Sequence, residues 1–318
     1  MDLWSKIIPL LFVSFASAGC AGPLKRIDSS PPKSAHLYIT AEVKVSDVCF
    51  KESDPTGQEE PNVKCFAEKQ RMAVGSGIHI RKYKNPRSQT DSSLILTAQH
   101  LCDVVPSTKR EIISMYYNTR GWDSNIWKMA EKNLNLTTNP TVKWRFFAYD
   151  LNGIKYVVNP NIVALSNKVH DLCLLESERI SHNVIPMASR SPRYGTRITN
   201  VSNPAPGSYT TAGGYPAFSL ISEGFLVNHD KSLGILAVSD LNVTFGSSGS
   251  LLAVRRGNRW ELVGMVFAIK TTAFHPYPPL YTIATSVETI KQFIDSEFRL
   301  YLKREAKIAK KQVEVQIP

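Results

Sequence analysis

The sequence lacks an apolar run that would cross a bilayer comfortably. Its stretch at residues 4–18, centred on Ile7-Ile-Pro-Leu-Leu-Phe-Val-Ser-Phe15, falls short of the ~20 residues that a spanning helix needs. With Lys6 on its amino side and Ala16-Ser-Ala18 at its end, it reads as an export segment. Nucleic-acid signatures are missing too. The formal net charge is +11 and the pI about 9.4, yet no basic patch interleaved with aromatics accompanies them, so no nucleic-acid partner is expected. Six cations, Arg299, Lys303, Arg304, Lys307, Lys310 and Lys311, crowd the end of the chain. Such a block reads first as a solvated tail and second as a contact for an anionic membrane surface. Cysteine is scarce, at five residues.

What is present is a succession of short strands with Gly and Pro turns. Residues 36–45 alternate in the strand period, residues 72–80 follow as a second strand, and Asn152-Gly153 is a strong two-residue turn between 147–149 and 156–158. Later come residues 194–201, 221–227 and 261–267. This spacing predicts an all-β protein. Two segments break the pattern. Residues 116–141 form a long connection with a short helix expected at 125–133, read first as a decorative insertion over the first barrel and second as one that shapes substrate access. Residues 287–294 carry apolar side chains at helical spacing and read as a closing helix.

Three motifs carry chemistry. Gly246-Ser247-Ser248-Gly249-Ser250 sets a serine between glycines at the start of an apolar run. Ser93-Leu-Ile-Leu-Thr-Ala-Gln-His100 is an apolar strand ending in a histidine, and Asp171-Leu-Cys-Leu-Leu175 opens another strand with a carboxylate. Each has a plainer reading, as a Gly/Ser turn, a histidine after a strand, and a capping aspartate. Together, in the order His, Asp, Ser and separated by 71 and 77 residues, they resemble the chymotrypsin/trypsin-like serine proteases. The α/β-hydrolases and subtilisins use other orders. Tyr194-Gly-Thr, Asn203-Pro-Ala-Pro-Gly207 and Glu223-Gly-Phe-Leu226 are similar to the bacterial branch, which includes the high-temperature-requirement proteases and the glutamyl endopeptidases. The resemblance spans residues 70–295 and leaves no room for the peptide-binding PDZ domain that the former usually carry.

The resemblance implies two six-stranded antiparallel β-barrels and a short C-terminal helix. It implies Ser248 as nucleophile, His100 as general base, Asp171 as its orienter, and the amides of Gly246 and Ser248 as an oxyanion hole. His170 is left as a bystander. Asn242, Val243, Phe267 and Ile269 are the expected specificity-pocket residues, and an uncharged Asn242 does not support a preference for Lys or Arg. Ser247 stands where trypsin-type zymogens carry an aspartate, so activation by a freed amino terminus is not expected. No metal or cofactor is implied. The expected partner is a protein or peptide substrate. The alternatives are a silent surface-binding protein on the same fold, or an acyl hydrolase using the same three residues.

Ser17-Ala-Gly-Cys20 resembles a bacterial lipobox, with Ser17 where leucine is usual. It implies lipidation at Cys20 and attachment to the cell envelope, simple secretion being the alternative. The expected organisation is a signal segment at 1–19, a tether at 20–35, the protease domain at 36–298 and, at 299–318, a basic C-terminal helix or tail that extends the closing helix. Four cysteines remain beyond Cys20, an even number compatible with two disulfides in an exported chain. Cys49 and Cys65 flank the polar loop containing Asp54-Pro-Thr-Gly57, as two strands of a hairpin would, and are expected to pair. Cys102 and Cys173 each lie two residues beyond a member of the His100/Asp171 pair, and are either bridged or two buried thiols.

Overall fold

A computed structural model describes residues 33–315 apart from 53–61, 104–107, 120, 160–162, 167–168, 182, 204–218, 245 and 271–280, with side chains to residue 312. The export segment, Cys20 and most of the tether therefore lie outside the described residues. In chain order the strands of the first half are β1 (His36–Ser46), β2 (Val48–Glu52), β3 (Asn62–Phe66), β4 (Lys69–Lys84) and β5 (Asp91–Ala98). They continue as β6 (Leu134–Leu136), β7 (Thr141–Tyr149), β8 (Lys155–Val158), β9 (Ala164–Leu165) and β10 (Leu172–Glu178). The second half holds β11 (Arg197–Ser202), β12 (Leu220–Asp230), β13 (Ile235–Ser239), β14 (Leu251–Arg256), β15 (Arg259–Lys270) and β16 (Tyr281–Ser286).

Both halves close into barrels. The first runs β5-β4-β1-β7-β8-β10, with β10 returning to pair with β5, and the second runs β11-β12-β13-β16-β15-β14, closed by β11 against β14. All of these pairings are antiparallel. This is the two-barrel architecture that the sequence resemblance implied.

The apolar runs of β5 and β10 have a physical reason. Alternate residues Leu94, Leu96, Leu172 and Leu174 pack with Val201, Leu251 and Met265 of the second barrel, while Ile95, Cys173 and Leu175 pack with Leu37, Ile39 and Phe146 of the first. A strand buried on both faces cannot show polar alternation, and so reads as a continuous apolar run. Because Leu172 faces Ala98 in register, the end of β5 and the start of β10 are held side by side.

The connection between β5 and β7 is more than decoration. It carries α1 (Gln99–Cys102), α2 (Lys109–Tyr116) and α3 (Ser124–Asn133), and its strand β6 joins β2 and β3 in a separate three-stranded sheet. Thr108 caps α2 in a capping box with Glu111, and Asp123 caps α3 through the amides of Asn125 and Ile126. Val45, Phe50, Ile112, Ile113 and Leu134 form a satellite core there, with Trp122 and Trp127 packed against it. A disulfide joins Cys49 to Cys65 across β2 and β3. The sequence pattern predicts α3 and the Cys49/Cys65 hairpin of β2 and β3 but not the third strand, because pairing β2 with β6 joins segments more than 80 residues apart.

The closing helix is longer than the apolar pattern suggested. α4 (Val287–Phe293) passes through a π-helical turn at Ile294–Phe298 into α5 (Arg299–Val315), so the basic segment continues the helix. Ile290, Ile294, Phe298 and Tyr301 bury themselves in the core shared by the barrels. The Tyr301 hydroxyl donates to Glu176 Oε2 at 2.6 Å, while Tyr83 and Asn85 donate to Oε1, each at 2.6 Å. Burial opposes ionisation of Glu176, but these bonds together hold its carboxyl below the ordinary range. The same burial and the carboxylate push the Tyr301 hydroxyl upward.

Candidate active site

The strand pairing β5–β10 delivers His100 and Asp171 to one place. His100 begins at the second residue of α1, immediately after β5, and Asp171 immediately precedes β10. Three bonds join them. Asp171 Oδ2 lies 2.6 Å from His100 Nδ1, Asp171 Oδ1 accepts the His100 amide at 2.9 Å, and the Asp171 carbonyl accepts the Gln99 amide at 2.8 Å. An ionised carboxylate can only accept, so Nδ1 carries the proton and Nε2 is left as the basic nitrogen. The Asp171 side chain is 11% exposed and that of His100 49%, which leaves the ring edge open above a buried carboxylate. Asp171 adopts φ of +50°, a left-handed conformation that costs a non-glycine residue about 1 kcal/mol or more. The bonds to α1 compensate for that cost.

A second disulfide braces the pair. Cys102 of α1 is bonded to Cys173 of β10, and both are buried. The bridge crosses two residues beyond His100 on one side and two beyond Asp171 on the other.

Ser248 lies on the connection between β13 and β14, and that loop is pinned between the barrels. The Ser248 carbonyl accepts the Ser76 amide at 2.8 Å, the Gly246 carbonyl accepts the Ser76 hydroxyl at 3.1 Å, and the Gly249 amide donates to the Val266 carbonyl at 2.8 Å. Gly246 and Gly249 sit at φ of +92° and +85°, where only glycine is unstrained. A Cβ on Gly249 would also strike Ser76 O and Thr97 Oγ1. Gly75 lies between the Ser248 carbonyl and Leu101 of α1, so one strand of the first barrel touches both the serine loop and the histidine's helix. Among the described residues no hydrogen bond joins the Ser248 hydroxyl to the His100 ring.

No protein-family model and no curated protein matches the chain. Among solved structures it is similar to an HtrA-type protease, AlgW, described with a decapeptide. The likeness has a TM-score of 0.46 at 14% identity and covers 84% of this chain and 65% of that one. The chain thus spans slightly less than two thirds of that protein's length.

The expected pocket residues fall in different environments. Val243 is buried and belongs to the core of the second barrel, with Ile269 packed against that core. Asn242 is exposed, and its carbonyl lies 3.5 Å from the Ser222 hydroxyl; Phe267 is half-buried. His170 Nε2 is 3.1 Å from the Leu233 carbonyl, directed toward the β12–β13 hairpin. One residue of consequence escaped the sequence reading. Ser76, fully buried, holds Gly246 and Ser248 and also accepts the Asn203 amide at 3.1 Å. The signal was Gly75-Ser76-Gly77 inside a strand, since strand glycines mark close approach of another backbone.

Proposed function

We propose that the chain is a serine endopeptidase of the trypsin-like kind, exported and attached to the cell envelope by lipid at Cys20. The observation that carries the catalytic reading is the His100–Asp171 pair at 2.6 Å, with the Ser248 loop bonded to the strand that also contacts α1.

In this reading Ser248 Oγ attacks the scissile carbonyl and His100 Nε2 takes its proton. His100 then returns the proton to the leaving amine, while Asp171 stabilises the imidazolium and keeps the ring oriented. The Gly246 and Ser248 amides receive the oxyanion of the tetrahedral intermediate. Water repeats the sequence on the acyl-enzyme. Two disulfides in the chain fit an oxidising compartment.

The test is labelling by a fluorophosphonate probe, followed by peptide and small-ester panels. Wild-type protein should label and cleave peptides, and Ser248→Ala should do neither while keeping its fold. A well-folded wild type that does not label would sink the catalytic reading in favour of a binding protein, and ester turnover without peptide turnover would favour an acyl hydrolase.

A further inference from the structure

Helix α5 is held to the first barrel on one side only. Tyr301 and Glu305 are buried and Ile308 is half-buried, a spacing of four and three residues that defines the docked side. On the other side Arg299, Lys303, Lys307 and Lys310 follow at intervals of four, four and three, flanked by Arg304 and Lys311, and all six are exposed. At 100° per residue these cations occupy an arc of about 140° that faces away from the barrel contact. Over residues 299–312 the one acid, Glu305, lies on the docked side. Arg304 is committed in part, 3.9 Å from Glu305 and with its guanidinium 5.4 Å from the Tyr301 ring centre. Arg299, Lys303, Lys307 and Lys311 make no ion pair among the described residues.

We infer that this face binds an anionic phospholipid surface. Charge complementarity is the first argument, since neighbouring cations on one rigid face can meet lipid phosphates together. The second is Leu300, which lies inside the cationic arc and is 58% exposed, positioned to enter the headgroup region as the arginine and lysine stems spread beside it. The third is the absence of Trp, Tyr and Phe from the arc, which leaves a nucleic-acid strand no stacking platform. The docked side explains why the face is presented at all. Tyr301 and Glu176 fix the helix to the barrel, so the cations are ordered before they meet a membrane. The inference does not depend on the protease reading.

The experiment is vesicle co-sedimentation of the full chain in a Cys20→Ala background, so that no lipid anchor contributes, using phosphatidylcholine vesicles with and without about 30 mol% phosphatidylglycerol. The comparison protein is Arg299→Gln/Lys303→Gln/Lys307→Gln/Lys311→Gln, which leaves Tyr301, Glu305 and the N-terminal segment untouched. Wild type should bind the anionic vesicles, and raised salt should release it. Each neutralised cation should weaken binding about fivefold, so the fourfold variant should lose about 600-fold. Both proteins should melt at the same temperature and label equally with fluorophosphonate. Equal binding to neutral and anionic vesicles, or a variant that binds as wild type does, would overturn the inference. So would tighter binding to a single-stranded oligonucleotide than to vesicles with the same dependence on the four cations, which would assign the face to nucleic acid. Loss of labelling in Ser248→Ala alone would leave vesicle binding unchanged, which keeps the two readings separable.

Discussion

Removal of the two disulfides should have unequal consequences, and the inequality follows from where each lies. The Cys102–Cys173 bridge closes a loop of 71 residues and the Cys49–Cys65 bridge one of 16. Chain-entropy arguments then give about 4.4 kcal/mol for the longer loop and about 3.1 kcal/mol for the shorter. Burial widens the gap. Cys102 and Cys173 are 1% and 0% exposed, so truncation to alanine also leaves a cavity, whereas Cys65 is at the surface and Cys49 is half-buried. Against a total stability of about 5–15 kcal/mol, either loss is large. Urea titration of Cys102→Ala/Cys173→Ala and Cys49→Ala/Cys65→Ala, each beside wild type, measures both costs. The first variant should also label with fluorophosphonate about 10- to 100-fold more slowly, because α1 carries His100 and a misplacement near 1 Å has that effect. The second variant should label normally, since β2 and β3 do not touch the site. Equal denaturation midpoints, or faster loss of labelling in the Cys49/Cys65 variant, would refute the reasoning.

His36 is fully buried and desolvation lowers its pKa to about 3, so it stays neutral in the fold but is protonated below about pH 6.5 when unfolded. Its contribution is whole above pH 6.5 and declines as pH falls toward 3; at pH 5 the loss is on the order of 2 kcal/mol, and His36→Asn should remove that part of the pH dependence in urea titrations at pH 7 and 5. Tyr301→Phe deletes a 2.6 Å donor to the buried Glu176 carboxylate, which should cost about 1.5–3 kcal/mol. Amide hydrogen exchange should then quicken along α5 before it does so in the barrels. Ser76→Ala strips the hydroxyl that serves Gly246 and Asn203. It should cost about 2 kcal/mol and slow fluorophosphonate labelling, and labelling at the wild-type rate would show that the serine loop does not need this support.

The legible parts of the sequence were those written locally. The Asn152-Gly153 turn is local: Gly153 stands at φ of +76°, although residues 150–154 connect β7 to β8 where a two-residue turn was expected. The order of His100, Asp171 and Ser248 is readable because each motif carries its own strand or turn. The apolar runs leading into His100 and following Asp171 were legible as strands, though their length concealed that both faces are buried. The Cys49/Cys65 hairpin of the satellite sheet was legible, but its third strand was not, since β2 and β6 meet only when the chain between them folds back through α2 and α3. The same holds for Ser76, whose part is to receive a loop 170 residues away.

By itself, then, the sequence determined an all-β chain with a His, Asp, Ser order and a basic end, because residue type, turn chemistry and strand period act over a few neighbours. Tertiary structure decided which ends meet. Pairing of Leu172 with Ala98 brings the carboxylate to the imidazole, and the contact of β4 with the serine loop brings Ser248 toward that neighbourhood. It also decided that the basic helix has one docked and one cationic face. That outcome depends on a tyrosine finding a buried glutamate 125 residues away, a contact that no local pattern encodes.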